Sequence, residues 1–169
     1  MRALISETQI SEKIAEVAAR LNTQGKPLFI VVILKGAICF ASDLIRKLEI
    51  PFELEFITAK SYGMRGTKPG TLSLEGIENL HIHGKDVLLI DDICDTGKTL
   101  SHVVSKLKDL DPKSVTTLVL LEKRTSRPRP FKPDQSCFQI EDLFVVGYGL
   151  DYKESYRGLP GIFTLEESI

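Results

Sequence analysis

The stretch VLLIDDICDTGKTL, Val87 to Leu100, runs four apolar residues into Asp91, Asp92 and Asp95 and then into Gly97-Lys98-Thr99. Three carboxylates within five residues repel one another, and a hydrophobic core has no use for them. A cation or a hydroxyl-rich ligand among them removes that repulsion. A glycine turn that opens a helix aims backbone N–H groups and the positive end of the helix dipole at one point, which suits a phosphate. Thr96 and Thr99 add hydroxyl donors. The alternative use of the same turn is plain helix capping by Asp95 or Thr96. Asp91 and Asp92 favour the phosphate, because adjacent carboxylates at a strand end can bind vicinal hydroxyls or magnesium. Together the features describe a pocket for a ribose 5-phosphate.

The GKT tripeptide also occurs in the Walker nucleotide loop. That loop needs a glycine five residues before Gly97, and Asp92 stands there. An ATPase or P-loop kinase is therefore disfavoured.

The elements that must position this turn are legible from periodicity. Ser6 and Gln9 can form a capping box ahead of a helical face of Ile10, Ile14, Val17, Ala18 and Leu21, with Gly25 and Pro27 ending the helix. Leu28–Leu34 reads as a strand buried on both faces and is broken by Lys35-Gly36. Ala37, Phe40, Ala41, Leu44, Ile45 and Leu48 restore helical spacing up to Pro51. FELEFITA, VLLI, Ser114–Leu121 and Leu143–Leu150 read as strands, and Leu100, Val103, Val104 and Leu107 as a helix. This alternation predicts an α/β fold with a mostly parallel central sheet flanked by helices. Such sheets bind ligands at the carboxyl ends of their strands. Lys35-Gly36, Asp91-Asp92, Lys123 and Asp151 all follow strand ends.

The chain has 169 residues, which predicts one domain, and its 22 basic and 23 acidic residues leave a net charge of −1. No global field invites nucleic acid or an anionic membrane. Cys39, Cys94 and Cys137 are an odd, scattered set without a CxxC and read as reduced thiols of a cytoplasmic protein. Neither a signal peptide nor a membrane span is expected. His81, His83 and His102 read as surface rather than as a metal site.

The run from Val87 to Thr99 resembles the phosphoribosyl pyrophosphate motif of the type I phosphoribosyltransferases. ILKGA (Ile33–Ala37), SYG (Ser61–Gly63), EKRT (Glu122–Thr125), KPD (Lys132–Asp134) and FVVGYGLDYKESYRGLP (Phe144–Pro160) resemble, in the same order, segments of the hypoxanthine-guanine phosphoribosyltransferases. The resemblance extends from about Ile5 to Leu165. It implies a small hood built from N- and C-terminal segments, a magnesium cofactor, and transfer of 5-phosphoribosyl from phosphoribosyl pyrophosphate to a 6-oxopurine base. The products would be IMP or GMP, and pyrophosphate.

Roles implied by the resemblance follow residue by residue. Asp91 and Asp92 meet the ribose hydroxyls directly or through magnesium, with Asp151 a further metal contact. Asp95 lies near the five-membered ring of the purine and handles a proton, while Asp95, Thr96, Gly97, Lys98 and Thr99 hold the 5-phosphate. Lys35-Gly36, after an often cis peptide, and Arg157 contact pyrophosphate. Lys123 donates to the 6-oxo group, where adenine would present a donor to a donor. Phe144 stacks on the base, the Val145 main chain faces it, and Asp151 lies nearby. Ser61-Tyr62 begins a lid. Two departures are Cys94, in place of an aliphatic residue, and Gly161, where a larger side chain is common. Family habit implies a homodimer or homotetramer. The rival readings are a regulator of the same fold that binds nucleotides and RNA through its basic EKRTSRPRP segment, and a xanthine-preferring transferase.

Overall fold

A computed structural model describes residues 1–61 and 72–165. The first strand, β1 (Arg2–Ile5), leads into α1 (Glu7–Gln24). Ser6 accepts from the Gln9 amide and the Gln9 side chain accepts from Ser6, so the capping box forms. Ile10, Ile14, Val17, Ala18 and Leu21 are buried, and Gly25 closes the helix with φ of 63°.

The elements β2 (Leu28–Leu34), α2 (Ile38–Ile45), β3 (Phe52–Ser61), β4 (Leu72–Glu75), β5 (Asp86–Cys94), α3 (Lys98–Lys108), β6 (Ser114–Arg124) and β7 (Gln135–Glu141) follow. The large sheet has the order β4-β3-β2-β5-β6-β7 and is parallel except for the β3–β4 pair. Alternation along β2 divides the core between its two faces. Ile30 and Val32 join α1 and α2 on one side, while Phe29, Val31 and Ile33 join α3 on the other. The sheet is thus covered by helices on both faces, as its continuous apolar strands require.

A second sheet has the order β1-β9-β8, with β8 (Val145–Val146) and β9 (Ile162–Thr164). It joins the two ends of the chain, as the expected hood does.

Three expectations are corrected, and four strands go unannounced in the sequence. Leu143–Leu150 is not one strand of the main sheet: only Val145–Val146 is extended, and the chain turns at Gly147 and Gly149, whose φ angles are 98° and 101°. The second helix stops at Ile45, well before Pro51. Both β5 and β6 outrun their apolar runs, so Asp91, Asp92 and Lys123 are strand residues rather than loop residues. Finally, β1, β4, β7 and β9 carry no strong apolar run, and periodicity alone passes over them. The expected lid begins at Ser61, the last residue of β3, and Tyr62 lies outside the described residues. Among the described residues, no helix is long and apolar enough to cross a membrane.

The KPD motif has a structural task. The Asp134 carboxylate accepts from the Thr117 amide at 2.8 Å and from its hydroxyl at 2.7 Å, while the Asp134 amide donates back to that hydroxyl at 2.8 Å. This pins the loop after β6 to the strand it left. We expect Asp134→Ala to destabilise the chain by about 2–3 kcal/mol in denaturant unfolding, because Thr117, 1% exposed, loses its charged acceptor.

Candidate active site

Glycines let the carboxyl ends of β2 and β5 come together. A Cβ on Gly36 would lie 1.5 Å from Asp92 Oδ2, and one on Gly149 would lie 2.1 Å from the Gly36 carbonyl oxygen. The Leu34–Lys35 peptide is cis, matching the sequence expectation. A cavity of about 290 Å³ opens here, lined by Lys35, Gly36, Asp92, Asp151 and Arg157 among others.

Asp91 and Asp92 line different cavities, although their carboxyls remain hydrogen-bonded to each other. Successive strand residues face opposite ways. Asp92 therefore lines the cavity beside Lys35, while Asp91 points to the α3 side, into a separate cavity of about 100 Å³ with Asp95 to Thr99. Asp91 Oδ1 accepts from the Asp92 amide at 3.0 Å, and Asp92 Oδ1 from the Ile93 amide at 2.7 Å. Burial pushes the Asp91 carboxyl well above the usual range, and the Asp92 charge adds to the shift. Burial also raises Asp92, with the hydrogen bond to the Asp91 carboxyl, the Ile93 N–H and the Arg157 charge opposing it. Among the described residues, no three acidic, His or Cys side chains form a protein-only metal cluster. Asp92 and Asp151 do share the larger cavity. Two carboxylates beside room for substrate oxygens suit magnesium, which is held by one or two acids plus phosphates.

The turn at 95–99 also departs from the capping alternative. Gly97 is the N-cap of α3, with φ of 80° and no side-chain cap bond, so neither Asp95 nor Thr96 is used that way. A Cβ on Gly97 would meet the Phe131 carbonyl oxygen at 2.2 Å. The loop after β6 therefore packs onto this turn, leaving its amides free to cradle an anion.

That loop supplies residues that motif reading missed. Arg127 donates through one nitrogen to both Asp95 oxygens at 2.7 and 2.8 Å and to Asp142 at 2.9 Å. Asp142 in turn accepts from Lys123 at 3.3 Å, and this bond, with the Arg127 charge, lowers its carboxyl below the usual range. Asp95 and Lys123 are thus joined through Arg127 and Asp142. No sequence pattern announces this link, because its members are 15 to 32 residues apart. Lys123 is only 14% exposed in its side chain and lines a cavity of about 580 Å³ with Glu122, Thr125 and Arg129.

Phe144 is 53% exposed and meets Tyr152 edge-on at 5.5 Å. That rules out a core role and leaves its face free for stacking. Val145 is buried within β8. Arg157 donates to the Gly149 carbonyl at 2.6 Å and pairs with Asp151 at 2.8 Å and Glu154 at 3.3 Å. It is an anchored residue rather than a free surface arginine. Gly161 is packed tightly, since a Cβ there would lie 2.7 Å from the Ile5 carbonyl oxygen. His81 and His83 are exposed, and His83 pairs with Asp111.

Residues 5–153 match the phosphoribosyl transferase domain family. The chain is 37% identical over 170 residues to the hypoxanthine-guanine phosphoribosyltransferase of Bacillus subtilis, covering 99% of this chain and 94% of the relative. Among solved structures, it is similar to the hypoxanthine phosphoribosyltransferase of Trypanosoma cruzi in complex with the product IMP. That match has a TM-score of 0.90 at 35% identity, covering 100% of this chain and 96% of the other. The Staphylococcus aureus hypoxanthine phosphoribosyltransferase aligns with a TM-score of 0.88 at 36% identity, covering 98% of this chain and 91% of the other.

The raised aspartates give a pH signature. Their neutral forms are favoured in the folded chain, so this contribution to stability is present in acid and is lost as pH rises through the elevated folded values. In buffer without divalent cations or phosphate esters, Asp91→Asn should raise the thermal midpoint at pH 8. At pH 4, where the carboxyl is already neutral, it should change little. Differential scanning calorimetry across that range checks both.

Proposed function

The chain belongs to the phosphoribosyl transferase domain family, and we propose that it is a purine-salvage enzyme of the hypoxanthine-guanine type. It transfers 5-phosphoribosyl from phosphoribosyl pyrophosphate to hypoxanthine or guanine, giving IMP or GMP and pyrophosphate. The observation that carries this reading is the Asp95–Arg127–Asp142–Lys123 link beside the Gly97 turn. Through two intervening side chains it ties an ammonium donor to a proton-handling carboxylate that borders the anion cradle. N7 and the 6-oxo group lie on one edge of a purine, and a carboxylate and an ammonium suit them.

In this reading, the turn from Asp95 to Thr99 holds the 5-phosphate, and Asp91 and Asp92, whose carboxyls are hydrogen-bonded to each other, hold the ribose hydroxyls directly or through magnesium. Lys35, the Gly36 amide and Arg157 grip pyrophosphate, the guanidinium taking two oxygens at once. Phe144 stacks on the base, the Val145 main chain faces the 2-position, and Asp151 borders the base. Asp92 and Asp151 would hold magnesium together with substrate oxygens, and when bound that ion neutralises charge on the leaving pyrophosphate. Breaking the anomeric bond builds positive charge on the ribose, so these residues act by positioning and electrostatics.

The whole chain acts as one transferase unit in the cytoplasm, where its three free cysteines stay reduced. Exposed Ile38, Phe52 and Phe56 provide apolar surface for a homodimer or homotetramer.

The RNA-binding regulator finds little support in the basic loop. Lys123 and Arg127 are paired with Asp142, Arg124 with Glu141, and Arg129 with buried Glu122. Cations already neutralised in this way release few counterions from a nucleic acid.

An absorbance assay with magnesium, phosphoribosyl pyrophosphate and each base in turn tests the reading. Hypoxanthine and guanine should turn over and adenine should not. Asp95→Ala should lower kcat by about 10²- to 10⁴-fold. Lys123→Ala should weaken hypoxanthine binding by about tenfold or more, one lost charged hydrogen bond. No turnover with any 6-oxopurine, together with salt-dependent RNA binding, would sink the enzyme and favour the regulator.

A further inference from the structure

Lys35 and Arg157, which line one cavity, share a carboxylate that the catalytic scheme does not use. Glu154 Oε1 lies 3.2 Å from Lys35 Nζ, and its Oε2 lies 3.3 Å from the Arg157 guanidinium. One carboxylate therefore ties together the two cations that come from opposite ends of the chain. These contacts, Lys35 first, hold the Glu154 carboxyl below the usual range.

Its position is built rather than incidental. Lys153, Glu154 and Tyr156 all adopt left-handed backbone, with φ of 51°, 60° and 73°. None is glycine, and such conformations persist only where surrounding contacts hold them. The contacts are present: the Glu154 amide donates to Asp151 Oδ2 at 2.8 Å, and Tyr152 and Ser155 exchange amide bonds at 3.1 and 3.0 Å.

Arg157 has three acceptors, and they are not equivalent. The Gly149 carbonyl is main chain, and Asp151, 29% exposed in its side chain, is fixed at the cavity wall. Glu154, at 68%, lies outermost and can swing into water. Lys35 is equally open, at 67%.

We propose that Glu154 is an internal competitor for the pyrophosphate subsite, a carboxylate that satisfies Lys35 and Arg157 until phosphate oxygens displace it. It sets the affinity for the pyrophosphate-bearing substrate and speeds release of the pyrophosphate product by reclaiming both cations. This rests on the assignment of Lys35 and Arg157 to pyrophosphate.

The test is steady-state kinetics on Glu154→Gln at fixed magnesium, with Arg157→Ala alongside. Glu154→Gln keeps the size and removes the charge. It should lower both KM for phosphoribosyl pyrophosphate and the inhibition constant of pyrophosphate by about three- to tenfold, the range for two exposed ion pairs. KM for hypoxanthine should stay unchanged. The gain should shrink as potassium chloride is raised, since the competition is ionic. A purely structural Glu154, needed to aim Arg157, predicts the opposite sign. An increase or no change in both constants, with Arg157→Ala still weakening pyrophosphate, would overturn this proposal alone. If Arg157→Ala leaves both constants untouched, the subsite assignment falls and takes the proposal with it.

Discussion

The site depends on a close approach of backbones that only glycine permits. With any side chain at position 36, the end of β2 could not meet the Asp92 carboxylate, and a Cβ at position 149 would strike the Gly36 carbonyl. These contacts bring three segments, from the first, middle and last parts of the chain, within reach of one anion. Gly97 repeats the device under the Phe131 carbonyl. The cradle is therefore shaped largely by main chain, which does not change rotamer and needs no reorganisation when charge arrives.

Burying acids at such a place is costly, and the structure relieves that cost only in part. Asp91 and Asp92 are raised by burial and are held by a hydrogen bond between their carboxyls and by backbone donors. A ligand that brings cationic charge or hydroxyl donors gains from groups that are already desolvated. The exposed acids behave differently. Asp142 and Glu154 are lowered by neighbouring Lys and Arg, and each bridges two cations. The proposed base pocket and the proposed pyrophosphate pocket thus share one arrangement, in which a surface carboxylate holds two basic side chains in place.

Much of this was legible in the sequence. Long buried strands, the capping box at Ser6 and the DDICDTGKT run carry strong local signals, because burial on both faces and a glycine-opened helix demand particular residues at fixed spacing. Short strands such as β8 and β9 carry none, since two or three residues give no period and β9 pairs with β1 over 150 residues away. The break at Gly147 and Gly149 is visible only afterwards, since glycine within an apolar run is compatible with a strand until a neighbouring backbone claims its space.

The sequence alone determined the class of chemistry: hydroxyl-binding acids beside a phosphate turn, on a mostly parallel sheet, in a family with a recognisable motif. Tertiary structure alone decided which charges meet. It put Asp91 and Asp92 on opposite faces of one strand, gave Asp95 to Arg127 rather than to helix capping, and set Glu154 between Lys35 and Arg157. The physical reason is one of range. Periodicity and capping act over a few residues, whereas ion pairs form wherever the packed backbone brings side chains within about 4 Å, whatever their separation along the chain.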